Sequence, residues 1–164
     1  CVSDCTVLQI DSGFLGPAAL AKAYRFIADP RDESNLSRLG TLDKSGGVWD
    51  CTRCMQCVEV CPKGVDPMGR IMSMRDMAIE SGYNKTYGAR HAIVFSDSVK
   101  HSGWLDELKL PLKTFGLLNI PKILQLLPVA IEAQLRRKVP PVFHKSLPGV
   151  ENIRRIFANF EKRG

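Results

Sequence analysis

The sequence contains no apolar run near the ~18 residues that a membrane-spanning helix needs. The best stretch, ILQLLPVAI at 123–131, is interrupted by Gln125 and Pro128. It shows no convincing run of alternating apolar and polar residues either, which excludes a fold built on half-buried strands. No Ser, Asp or Glu stands in a nucleophile or paired-carboxylate pattern, so no catalytic residue is assigned and no substrate chemistry is expected on this chain. Lys and Arg are not interleaved with aromatic residues, which make up 7% of the sequence, and nucleic acid is set aside as a partner. There is no initiator Met and no signal peptide, and the first residue is a cysteine inside a motif. These features lead to the expectation of a piece of a longer, or a processed, protein.

What is present is enough for a packed core: 164 residues, 45% of them hydrophobic. The net charge of +6 is unevenly spread, with 9 Lys/Arg against 11 Asp/Glu in residues 1–83 and 14 against 6 in residues 84–164. A basic half of this kind suits a solvated surface, an anionic membrane face or an acidic partner.

Helix signals dominate. GPAALAKAYRFIA has Pro17 at a first helical position and stops at Pro30, which disfavours helical geometry for Asp29. Residues 32–49 read as a short helix and a loop. Asp66 and Pro67 cap and start a helix that Gly82 ends, and the next one, which Gly103 ends, places His91, Phe95 and Val99 on one face. Pro111, Pro121 and Pro128 divide 104–138 into short helices. VPPVFHKSLPG reads as an extended linker. A final amphipathic helix over VENIRRIFANFEKR is expected to turn Val150, Ile153, Ile156, Phe157 and Phe160 inward. The apolar 104–135 stretch, followed by Arg136, Arg137 and Lys138, is expected to pack into a core, with a membrane surface or a partner subunit as the other options.

Four of the six cysteines lie in CTRCMQCVEVCPKG. Cys51, Cys54, Cys57 and Cys61 form C-x2-C-x2-C-x3-C followed by Pro62, the bacterial ferredoxin run, whose fourth cysteine ligates the other of two clusters. Cys1 and Cys5 have the C-x3-C spacing of the third and fourth positions of a second such run. Exchange of fourth cysteines then gives a complete site of Cys5, Cys51, Cys54 and Cys57, and half of a second site from Cys61 and Cys1. In the intact protein each site is expected to take a 4Fe–4S cluster. A closed four-cysteine zinc site, in a zinc-stabilised assembly module, is the alternative of another class, although zinc motifs usually pair two separated C-x2-C hooks. Disulfides do not suit the x2 spacings.

These residues carry a resemblance. FLGPAALAKAYRFIADPRDE, GVWDC and CVEVCPKGVDP resemble the C-terminal half of the iron–sulfur subunit of succinate dehydrogenases and fumarate reductases. The resemblance implies an all-α fold: a two-cluster α-helical ferredoxin domain over 1–83 and a helical C-terminal extension over 84–164. Residues 84–164 resemble the tail of heterodisulfide reductase C-type subunits, through GARHAIVFSDSVKHSGWLDEL and VPPVFHKSLPGVENIRRIF. Together these imply an electron-transfer subunit of the citric acid cycle or anaerobic respiration. It would work between a flavoprotein subunit and a cysteine-rich or membrane-anchor partner, with a 2Fe–2S domain upstream. The implied location is cytoplasmic, peripheral on the inner face of the cytoplasmic membrane. A heterodisulfide reductase C-like or glycerol-3-phosphate dehydrogenase-type carrier is the alternative within the same class.

Two departures from the resemblance carry information. The usual subunit has C-x5-C-x3-C-P in its second run and a 3Fe–4S cluster, whereas Cys54 here supplies a fourth thiolate and implies a 4Fe–4S cluster of lower potential. The usual Trp after the first run and His after the first cysteine of the second are replaced by the Gln9–Ile10 region and Thr52. This implies transfer to another iron–sulfur protein rather than to a quinone at this surface. Among Arg25, Arg31, Arg38 and Arg53, Arg53 inside the loop is the first choice for tuning a cluster, while His91, His101 and His144 read as structural.

Overall fold

The computed structural model describes residues 1–116, 119–139 and 145–162, and among these all regular structure is helical. Proline and glycine set most of the boundaries. The first two helices are α1 (Thr6–Ile10) and α2 (Gly16–Ile27), the latter with Pro17 in its first turn and Arg25 in its last, where a cation complements the helix dipole. They are followed by α3 (Asn35–Leu42), a 3-10 turn at Val48–Asp50 and α4 (Gln56–Glu59). Next comes α5 (Pro67–Glu80), where the Asp66 carboxylate accepts the Gly69 N–H at 3.0 Å. The chain continues with α6 (Tyr87–Ser102), α7 (Lys109–Phe115), α8 (Ile120–Leu124), α9 (Leu127–Leu135) and α10 (Val150–Glu161). Pro121 and Pro128 each lie in the first turn of a helix, so they start helices as much as they separate them.

The chain divides into two compact units, Cys1–Ala89 and Arg90–Gly164. In the first, α2 packs along α5, and α3 lies against both. Their apolar stripes meet in a core of Phe14, Leu20, Ile27, Leu39, Leu42, Val48, Ile71, Met74 and Ala78, with Cys5 at its edge. Leu20, Ile71 and Met74 are fully buried. Each contributes about 1.5–3 kcal/mol by burial.

Gly46 returns the chain from α3 toward the site. Its φ of +82° is left-handed, and an added Cβ would overlap the Gly13 carbonyl oxygen. Its own carbonyl accepts the Leu15 N–H at 2.9 Å. Gly46→Ala is therefore expected to lower the stability of the first unit by at least about 2 kcal/mol, since the left-handed conformation alone costs roughly 1–2 kcal/mol. Urea unfolding followed by Trp49 fluorescence would check it.

The second unit departs from the periodicity. His91 is exposed, Phe95 is 45% exposed and Val99 only half-buried. The face carrying Val94, Ser98 and Ser102 lines a cavity against α7 instead. Serine hydroxyls make this possible: Ser98 donates to the Trp104 carbonyl and accepts the Asp106 N–H at 2.9 Å. In α10, Val150, Ile153 and Phe157 are half-buried, but Ile156 and Phe160 are 67% and 80% exposed. The helix meets the end of α6, where Arg154 donates to the His101 carbonyl and Ile153 lies beside Gly103. The remaining apolar residues extend past that contact. Leu127, Val129, Ile131 and Leu135 of α9 are likewise exposed, and they lie on more than one side of the helix. Residues 140–144 of the linker expected over VPPVFHKSLPG, His144 among them, lie outside the described residues.

Candidate metal centre

Cys5 precedes α1 and is buried, while Cys57 sits inside α4 and is buried as well. Between Cys51 and Cys57 the chain turns sharply on either side of Cys54. Arg53 and Met55 both take left-handed φ values, 57° and 67°, where side chains other than glycine are uncommon. This conformation costs of order 1–3 kcal/mol per residue and persists only where its surroundings enforce it.

Cys5, Cys51, Cys54 and Cys57 all line one cavity, walled by apolar residues that include Phe14, Met68 and Ile71. Two segments separated by α1, α2 and α3 thus converge on a single place. Among the described residues no group of three or more His, Cys, Asp or Glu side chains closes around one metal ion. All six cysteines are free.

The sulfur environments differ. Burial pushes the Cys57 thiol up, and the negative charges of Cys51, Cys54 and Cys5 add to that rise. A cationic group between these sulfurs would favour their ionised form, the chemistry of a thiolate-ligated metal core. Cys54 is exposed and shifted down, chiefly by the Thr6 hydroxyl, which donates to its sulfur at 3.6 Å, and next by the Gln56 N–H. Cys61 does not line the cavity. Its sulfur accepts the Val65 N–H at 3.4 Å, and this bond, then the Lys63 N–H, moves its thiol down.

Of the cysteines, Cys5, Cys51, Cys54 and Cys57 thus share one cavity lining, of which Cys1 and Cys61 are not part. Arg53 is exposed on the loop. Arg31 and Arg38 bond Asp29 and Asp32 at 2.7 and 3.0 Å in the 29–38 segment, and Asp29 takes Arg31 rather than Arg25 as its hydrogen-bonded partner. His101 is exposed beside Asp97.

Sequence reasoning missed Arg75. On α5 it is flanked by the buried Ile71, Met74 and Ala78, and it is itself buried behind the loop. An arginine inside the 71–74–78 apolar stripe was the available signal. Burial, followed by the Arg53 charge, moves this guanidinium below its usual range, while Cys51, Asp50 and Asp76 act in the opposite direction.

A family model described as a 4Fe-4S dicluster domain matches residues 1–65. The chain is 31% identical over 124 residues to the 8-methylmenaquinol:fumarate reductase iron-sulfur subunit of Wolinella succinogenes, covering 74% of this chain and 39% of that protein. It is 45% identical over 71 residues to the fumarate reductase iron-sulfur subunit of Mycobacterium tuberculosis, covering 43% and 29%. With the succinate dehydrogenase iron-sulfur subunit of Paracoccus denitrificans it shares 42% over 67 residues, covering 41% and 26%. The chain therefore spans about two fifths or less of the length of these relatives. At 124 residues the Wolinella match is longer than the first unit, whereas the other two would fit within it.

Proposed function

We infer, from a chain that carries a 4Fe-4S dicluster domain and is related to the iron–sulfur subunits of fumarate reductases and succinate dehydrogenases, that its cysteines form one complete cluster site and half of another. The first uses Cys5, Cys51, Cys54 and Cys57, and the second uses Cys1 and Cys61 with two further thiolates. The observation that carries this reading is the convergence of Cys5 with the 51–57 loop on one apolar-walled cavity. A thiolate-ligated 4Fe–4S cluster accepts and releases single electrons at a potential set by charge, hydrogen bonds and solvent.

The residues of this chain supply those settings. Phe14, Met68 and Ile71 keep water from one side of the site. The Thr6 hydroxyl and the Gln56 N–H point at the Cys54 sulfur and favour added negative charge there. The Val65 and Lys63 N–H groups do the same for Cys61. Arg53, exposed on the loop, acts as a weaker tuner.

In the whole protein, electrons would pass between a flavoprotein subunit and an external partner by way of an upstream 2Fe–2S domain, the Cys1–Cys61 site and the Cys5–Cys57 site. The Wolinella relative, named for fumarate reduction with 8-methylmenaquinol, supports placing this chain near that type. Residues 84–164 then form the extension that docks a cysteine-rich or membrane-anchor subunit, and the exposed apolar residues of α8 and α9 support that role. No helix of the described residues is long and apolar enough to cross a membrane. The location proposed is peripheral, on the inner face of the cytoplasmic membrane.

Iron and acid-labile sulfide analysis of anaerobically purified protein, with electron paramagnetic resonance after dithionite reduction, tests the reading. Reducible iron with matching sulfide is the expected result. Zinc without reducible iron would replace it with a zinc-stabilised module.

A further inference from the structure

The guanidinium of Arg75 is buried, at 5% exposure, and its hydrogen bonds all go to main-chain carbonyls. Nε and Nη2 reach the Val48 carbonyl at 2.9 and 2.7 Å, and Nη2 also reaches those of Trp49 and Cys51 at 3.2 and 2.7 Å. Its carbon lies 5.2 Å from the centre of the Trp49 ring. Trp49 is fixed in turn, since its indole N–H donates to Asp43 at 2.7 Å, Thr86 donates to the same oxygen at 3.1 Å, and Gly88 packs on the ring. One cation thus gathers three carbonyls of the single turn that leads into the site. Neutral apolar residues of similar size could fill the same volume, so the charge itself calls for a reason.

Among the described residues Arg75 forms no ion pair with a carboxylate. A buried charge of this kind is costly unless an opposite charge lies close by. The negative groups that act on it are Cys51, whose own carbonyl Arg75 holds, then Asp50 of the same turn and Asp76 beside it on α5.

We propose that Arg75 is a positioning residue that delivers Cys51 to the cavity and is the buried countercharge of the cluster held there, favouring its reduced state. The proposal rests on the ligand set of the preceding section. Reduction adds one electron to a group already bearing four thiolates, and a fixed positive charge in a poorly solvated position stabilises the added charge more than an exposed one does. Arg53, on the solvent side of the same loop, is screened by water. Arginine suits the task because it cannot lose its proton and its planar fork serves several acceptors at once.

The test compares the full chain with Arg75→Met and Arg75→Lys, each loaded anaerobically with iron and sulfide and titrated by electron paramagnetic resonance. At the wild-type midpoint, Arg75→Met is expected to show an oxidised-to-reduced ratio raised about tenfold, a shift of about 59 mV to lower potential for one electron. Arg75→Lys keeps the charge and loses the fork. It is expected to stay near the wild-type potential while losing iron faster to a chelator. If Arg75→Met fails to load, a Lys variant with wild-type potential and faster iron loss still supports both parts of the role. A Lys variant shifted as far as neutral substitution predicts removes the countercharge. Unchanged potential and iron retention in Arg75→Met would overturn the proposal alone, whereas a wild-type chain that takes up no reducible iron would overturn the ligand assignment beneath it.

Discussion

Replacing Cys54 by Ala is expected to convert the complete site from a four-iron to a three-iron centre. Cys5, Cys51 and Cys57 would still supply three corners from two segments, two of these residues being buried. The fourth iron would have no thiolate and would be lost on oxidation. Folding should survive, because Cys54 is exposed and its side chain makes one hydrogen bond outside its own loop, to Thr6. Surface substitutions of this sort usually stay within about 0.5 kcal/mol. The oxidised wild-type site is expected to be silent in electron paramagnetic resonance, and the oxidised variant to give a signal. Its potential would rise, since one anionic ligand is removed. A variant that remains silent when oxidised and keeps its full iron would show that another group serves as the fourth ligand, and the assignment of Cys54 would fall.

Removing iron is expected to loosen residues 1–65 before the rest of the chain. A cluster binding both Cys5 and Cys51 ties positions 46 residues apart in sequence. In the chain-entropy treatment of a cross-link, closing a loop of that length contributes about 4 kcal/mol. Holding Arg53 and Met55 in left-handed conformations costs of order 1–3 kcal/mol each, a strain the bound metal would offset. With chelator under oxidation, amide exchange through α1 and the 51–57 loop should quicken by at least about a hundredfold, or roughly 3 kcal/mol in opening free energy. The buried half of α5 around Met74 and Ala78, and all of α10, should keep their protection longer. Equal exchange in 1–65 with and without iron would mean that packing alone organises the loop.

Much of the local structure was legible because its causes are local. Pro17, Pro67 and Pro128 lie in first helical turns, and Gly82 and Gly103 take left-handed φ values just beyond helix ends. The faces of α6 and α10 were harder to read. Apolar periodicity says which side of a helix could be buried, but the amount of neighbouring surface decides how much is. Phe95 and Phe160 follow the pattern and remain exposed, while Ser98 and Ser102 turn inward because their hydroxyls find main-chain partners at the Trp104–Asp106 turn.

The sequence by itself determined the helical class and the kind of chemistry, since thiols spaced by two and three residues followed by proline are a property of adjacent positions. It also marked Cys54 as the residue that separates a four-iron from a three-iron expectation. The spacing led to the expectation that Cys5 joins the 51–57 loop, and the tertiary structure decided the packing by which they meet, since α2 and α5 bring these distant segments to one cavity. It likewise decided that the buried cation behind the loop is Arg75 rather than the more obvious Arg53. Ligand spacing is written along the chain. The burial that gives a charge its strength arises only when the chain has folded around it.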